Sequence, residues 1–431
     1  MRARLLRGIG ATLYGQGATA LVQLVSVPLL VAAWGPSRFG TWTLLTAVPA
    51  ALAFADGGLV LASGNAMAML AARGEVTRAA ALFRRTKGRV ILAVTVLGLL
   101  ALGLIHLAPT TLFAGVTGDS GMARVLIDLL AGVTLLGVLG TLPAAALRAS
   151  GDYALATTAS TTARLAETVA IVGSALLGGS LVATALAWGV VRLGLTPLLF
   201  GLARRRVPWL DHSAPSDAPL PALARPAAAA LLLPACFALG LQGVILVLGL
   251  SQPPATVAAF VAARTLSRIL VQAVGLVIHP LMPEMSHAVG RNDFRSVANL
   301  ERLGRIAAAA LLLPGWLVLL VVGPAVFAAW TGGRLPLASG TLPLVATAAV
   351  LHGLWLSRAN LLLAVNRQAD YAGAFLLATL ATVALAGVAA ALMGLPGAAA
   401  ATVAGEAAML LFIAKLDRKP RTVPLGGALA L

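Results

Sequence analysis

A chain of 431 residues that is 60% hydrophobic and 10% charged lies far from soluble domains, in which about a quarter of residues carry charge. Its 31 Lys and Arg against 14 Asp and Glu leave a net charge of +17. On a soluble chain that excess would point to nucleic acid; here the basic residues follow loop position, and no nucleic-acid partner is expected. The single cysteine, Cys236, excludes an internal disulfide and, inside an apolar run, reads as a small core residue.

A helix crosses the hydrocarbon core with about 20 apolar residues. Twelve runs meet that length, at about 9–33, 39–63, 89–108, 122–146, 154–177, 181–203, 227–250, 255–281, 304–329, 338–363, 371–393 and 396–416. The first follows Arg2, Arg4 and Arg7, is too long for the apolar core of a signal peptide, and reads as an uncleaved span. It carries Gln16 and Gln23, seven residues apart and so on one face, which either lines a wet cavity or bonds a neighbouring helix. The second run contains Asp56-Gly57-Gly58, which loosens a helix; Asp56 is a candidate for a coupling cation and equally for a local cap. The fifth carries Arg164 and Glu167, three apart and able to pair on their own helix. The sixth carries Arg192 near its middle, with no acid within a turn. The eighth carries Arg264 and Arg268, four apart on one face, and the tenth carries Arg358 close enough to its end to snorkel. Glu406 lies mid-span in the last and is the best candidate for a proton-linked carboxylate. His106, His279, His287 and His352 are scattered without metal-ligand spacing. Trp34, Trp42, Trp209 and Trp330 fall at the expected span ends and read as interfacial anchors.

Basic residues set the orientation by the positive-inside bias. The start, the run Arg73 to Arg89, Arg204-Arg205-Arg206, Arg291 to Arg305 and Lys415 to Arg421 all fall on one side. Only Arg38, Arg124 and Arg334 fall on the other. Both termini are therefore expected in the cytoplasm, with the same basic segments touching anionic membrane lipid.

The halves of the chain match at an offset of 217–218 residues: Gly58-Leu59-Val60 recurs as Gly275-Leu276-Val277, and Gly151-Asp152-Tyr153-Ala154 as Ala369-Asp370-Tyr371-Ala372. The expected fold is an all-α polytopic membrane protein. Residues 1–203 form a six-span N-lobe, 204–225 a polar, Pro-rich linker, 226–416 a six-span C-lobe and 417–431 a cytoplasmic tail. An even number of spans per half places the substrate site between the halves. Asp152 and Asp370 stand where carboxylates cap helix starts.

Trp34-Gly-Pro-Ser-Arg-Phe-Gly-Thr-Trp42, Phe54-Ala-Asp-Gly-Gly-Leu59, Asn65 and the following Arg-Gly-Glu stretch resemble the first loop, second span and first cytoplasmic loop of one exporter group. This is the multidrug/oligosaccharidyl-lipid/polysaccharide (MOP) superfamily, and most closely its Wzx-type oligosaccharide flippases. The resemblance implies two lobes facing across a V-shaped cavity (a MATE-like fold) in a bacterial inner membrane. It also implies outward flipping of an undecaprenyl-diphosphate-linked oligosaccharide by a monomer.

An arginine at the bilayer centre costs about 2.5–3.5 kcal/mol on insertion scales, so Arg164, Arg192, Arg264 and Arg268 must face water or a partner. Two like charges on one face accept an anion between them, and the guanidinium fork suits phosphate oxygens. These four, with Gln16 and Gln23, are the expected substrate contacts. Glu406 and Asp56 are the candidates for H+ or Na+ coupling, and neither metal nor cofactor is expected. No P-loop, nucleophile or zinc motif is present. The rivals are a cation-coupled multidrug (MATE-type) antiporter, which wants an acidic cavity, and a membrane glycan ligase or polymerase, which wants a large exterior loop.

Overall fold

The computed structural model describes residues 2–108, 120–211, 224–290, 293–364 and 369–417. Most of the expected linker and nearly all of the tail lie outside the described residues, as do the side chains of His279 and His287. The described residues form helices and turns, with no strand among them. In chain order the helices are α1 (Arg2–Ala47), a 3₁₀ segment (Pro49–Phe54), α2 (Leu59–Ala72), α3 (Val76–Leu107), α4 (Ser120–Leu139), α5 (Thr141–Ala149), α6 (Tyr153–Leu176) and α7 (Leu181–Arg206). After a 3₁₀ turn at Pro208–Asp211 come α8 (Ala224–Ala238), a π turn (Leu239–Gly243), α9 (Val244–Gly249), α10 (Pro254–Gly290), α11 (Phe294–Val321), α12 (Gly323–Thr331), α13 (Thr341–Ala364) and α14 (Ala369–Asp417).

Nine stretches among the described residues are long and apolar enough to cross a membrane. Two of them each cover a pair of the expected spans. In Gly10–Ala71 the helix breaks at Gly35 (φ 75°, ψ 171°), and Pro36 opens the next leg; in Asp370–Leu416 it breaks at Gly394 (φ 65°, ψ −147°), just before Pro396. Positive φ is open to glycine at little cost, and proline suits a first helical turn because its missing N–H has no partner there. The α14 break is a reversal: a Cβ on Gly405 would meet the Thr382 hydroxyl at 1.9 Å, so the two legs pack face to face. The helix at 153–176 is absent from the nine because its threonines, Arg164 and Glu167 dilute its apolar content.

Helix α1 is the hub. It packs against α6 on one side and α10 on the other, joining the halves of the chain. Small residues allow this approach. A Cβ on Gly40 would sit 1.7 Å from the Pro254 carbonyl oxygen, and one on Gly58 would sit 2.3 Å from that of Ala227, backbone against backbone. Gly40→Ala is therefore expected to cost about 1–3 kcal/mol through overpacking, read as a lowered melting temperature in nanodiscs. An unchanged melting curve would show the contact to be soft.

The tryptophans correct the sequence reading. Trp34, Trp42 and Trp209 are buried rather than set in a lipid belt. Trp34 donates to the Gly179 carbonyl at 3.3 Å and Trp330 to that of Leu24 at 2.7 Å. Trp42 fills the space between Trp34 and Trp188, at ring separations of 5.5 and 6.4 Å. An indole N–H is satisfied as well by a backbone carbonyl inside a bundle as by a headgroup.

Candidate functional site between the halves of the chain

Helix α10 is continuous through Pro254–Gly290, so Arg264, Arg268 and Gln272 recur every four residues along one face. Gln272 fixes where that face points: its Nε2 donates to Oε1 of Gln23 on α1 at 2.6 Å. The Gln272 end of the row thus meets the first half of the chain, while Arg264 turns to the π turn of its own half. The Gln272 side-chain oxygen is buried there without a hydrogen-bond partner.

Arg264 is half-buried. Its Nη1 donates to the Leu241 carbonyl at 2.7 Å and its guanidinium lies 5.9 Å from the Phe260 ring. Leu241 sits in the π turn, where the regular i to i−4 ladder is interrupted and a carbonyl is free to accept a side-chain donor. Arg268, one turn on and also half-buried, has no hydrogen bond or ion pair among the described residues. Among the described residues no carboxylate neutralises either arginine.

Arg192 has a different fate, which corrects the sequence reading. It does not stand alone, and Glu167 does not pair with Arg164. The Arg192 Nε donates to Glu167 Oε1 at 2.7 Å and its Nη2 to Oε2, while Nη1 reaches the Val133 carbonyl at 3.0 Å. Trp188 completes the set, donating to Glu167 Oε2 at 3.1 Å with its ring 4.9 Å from the guanidinium. Gly137 makes room, since a Cβ there would lie 2.6 Å from Arg192 Nη1. Intrahelical spacing cannot show such a partner, because it comes from the neighbouring helix. Arg164 is left exposed and unpaired among the described residues, with α1 standing between its helix and the α10 row.

Of the remaining candidates, Gln16 is half-buried on α1 and has no partner among the described residues. Asp56 accepts the Val60 N–H at 3.0 Å and so closes the start of α2. Arg358 is half-buried and unpaired among the described residues. Asp152 occupies the N-cap position of α6 but accepts no backbone N–H with its side chain. It lines, with Arg7, Tyr153, Thr158 and Arg206, a cavity of about 430 Å³ away from the α10 row. Glu406 lies in a second cluster, on α13 and α14. Trp355 Nε1 donates to its Oε2 at 2.6 Å, and His352 Nδ1 lies 3.1 Å from each of its oxygens. Sequence reading left His352 among the scattered histidines and did not weigh Trp355, although their spacing of three residues puts them on one helix face and was a usable signal.

No family model and no curated protein matches the sequence. Solved structures do share the fold. An inward-facing multidrug-resistance MATE family transporter of the MOP superfamily superposes with a TM-score of 0.73 at 15% identity, over 93% of this chain and 96% of its own. The lipid II flippase MurJ, in an inward closed conformation, gives 0.68 at 12% identity over 96% and 87%. A MOP superfamily transporter from Pyrococcus furiosus, described as having a binding pocket of reversed polarity that suggests a different function, gives 0.62 at 13% over 96% and 95%. The chain therefore has the fold of these membrane transporters.

Proposed function

We propose that this chain, built on the fold it shares with MATE transporters and a lipid flippase, is a secondary transporter of a polyprenyl-diphosphate-linked oligosaccharide. It moves that cargo from the inner to the outer leaflet of a bacterial cytoplasmic membrane by alternating access. In this reading the twelve expected spans form two six-helix lobes, 1–203 and 226–416, joined by the linker 204–225, with both termini in the cytoplasm.

The observation that carries the reading is Arg268. It stands inside an apolar helix that packs against α1 of the first half, with no anionic partner among the described residues. Arg264, one turn away, holds a carbonyl and an aromatic face among the described residues. A diphosphate between the two offsets their insertion cost and uses both guanidinium forks. Gln272 and Gln23 continue the row with amide groups suited to sugar hydroxyls, and the free Gln272 oxygen accepts from one. Arg192 supports the lobe and does not reach for cargo. The polyprenyl tail stays in lipid. A negative-inside potential drives an anion outward with about 2.3 kcal/mol per charge per 100 mV.

The antiporter reading draws on one observation, the half-buried Glu406 beside a histidine. That carboxylate belongs to a cluster inside the second half and not to the α10 row.

Reconstitution in vesicles distinguishes the two. The purified chain is expected to move a fluorescent polyprenyl-diphosphate oligosaccharide outward, faster when a potassium diffusion potential makes the inside negative. Extrusion of a cationic dye on a proton gradient, with no movement of the lipid, would replace this reading with the antiporter.

A further inference from the structure

We propose that His352, Glu406 and Trp355 form a proton-binding site, and that Phe237 and the π turn link its charge state to Arg264. The link rests on the cargo reading above; the proton site does not.

Two carboxylates inside the bundle, Glu167 buried and Glu406 half-buried, each hold an indole N–H, and their partners differ in kind. Glu167 faces Arg192, which keeps its proton at any physiological pH, so that pair is a fixed charge balance. Glu406 faces His352, the side chain type whose charge changes between about pH 5 and 8. His352 Nδ1 faces both Glu406 oxygens, so in the proposed site this nitrogen carries the hydrogen that a carboxylate accepts. Nε2 is then the basic position, and uptake of one proton from water there gives an imidazolium against a carboxylate, with no other bond made or broken. The His352 and Glu406 side chains keep 18% and 26% of their surface open, against 18% and 12% for Arg192 and Glu167.

The surroundings leave this pair as the responsive element. On α8 the neighbouring titratable group is Cys236, and on α14 it is Tyr371, both within the same apolar cluster. Helix α11 meets α13 through the apolar Ala308, Leu312 and Val350 and through a 3.0 Å hydrogen bond from Trp316 Nε1 to the Thr347 hydroxyl. Helix α10, which packs against α13, carries Arg264 and Arg268, the first of them held by the π turn that continues α8.

Phe237 supplies the connection. Its ring lies edge-on to His352 at 5.5 Å and stacks parallel to Trp355 at 6.3 Å, with an interplanar angle of 5°. Two residues later begins the π turn, whose Leu241 carbonyl holds Arg264. An imidazolium draws toward Glu406 and changes its contact with the Phe237 ring. The irregular turn that follows absorbs the shift, and Arg264 is released from or returned to its carbonyl. The protonated and neutral forms then differ in how firmly the arginine pair is free to meet an anion.

The site is read without cargo by indole emission from the full chain in lipid nanodiscs, because protonated imidazole quenches an indole in ring contact and His352 lies 5.0 Å from Trp355. Wild type is expected to show a one-proton change between about pH 5 and 8, absent in Trp355→Phe and in His352→Gln. A wild-type chain without that step, or a step that survives His352→Gln, overturns the proton site. The link is read by vesicle flipping: a several-fold pH dependence in wild type that flattens in His352→Gln supports it, and an unchanged profile in that variant overturns it. Full flipping by Arg264→Ala and Arg268→Ala would sink the cargo reading and the link together, leaving the emission titration to judge the proton site.

Discussion

Arg268→Ala is expected to cut flipping of a diphosphate-linked lipid by about 10- to 100-fold, the equivalent of one or two charge-assisted hydrogen bonds. The side chain has no other duty among the described residues, so insertion and thermal stability should stay near those of wild type. Arg268→Lys should fall between, since lysine keeps the charge but loses the planar fork that grips two oxygens at once. Arg264→Ala is expected to lose a similar factor in transport and some stability as well, because the Leu241 carbonyl is then left without its donor. The measurement is initial flipping rate per folded molecule in vesicles, with cytoplasm-trapped lipid-linked oligosaccharide in a deletion strain as its cellular counterpart. Normal rates in both alanine variants would remove the arginine row from the mechanism.

Arg192→Ala should act the other way, on folding before transport. Removing one member of a buried ion pair leaves an uncompensated charge and costs about 3–5 kcal/mol. Among the described residues Glu167 would then retain the Trp188 indole alone. The expected result is a large drop in melting temperature and in the yield of monodisperse protein. The double variant Glu167→Gln with Arg192→Met should recover much of both, since no charge is then stranded. Because Arg192 is assigned to support, the double variant should also keep most of its flipping rate. A stable Arg192→Ala chain that fails only in transport would return this arginine to the cargo site.

Much of the architecture was legible from residue order. Gly35-Pro36 and Gly394 with Pro396 mark where the long helices break, because backbone sterics at glycine and proline are local properties. Asp56 before two glycines marked a loosened segment, and the carboxylate does cap α2 there. Nine apolar stretches follow from composition, while the polar helix 153–176 shows the limit of that measure. The spacing of Arg264 and Arg268 put both on one face before any coordinate was known.

Partnership was not legible. Glu167 has Arg164 three residues away on its own helix and still binds Arg192 of the next. His352 and Glu406, far apart in sequence, meet only because α13 packs on α14. Of the tryptophans read as lipid anchors, Trp34, Trp42 and Trp209 are buried and the half-buried Trp330 bonds a carbonyl, because an indole cannot signal from sequence whether a headgroup or a carbonyl will receive its hydrogen. Hydrophobic length, helix breaks and the side a charge lies on a helix are decided within a few turns of chain, by bilayer thickness and backbone geometry. Which charges cancel, and which stay available to an anion, is decided by helices that come together across the bundle, where a buried ion finds its lowest energy beside the nearest counter-charge in space.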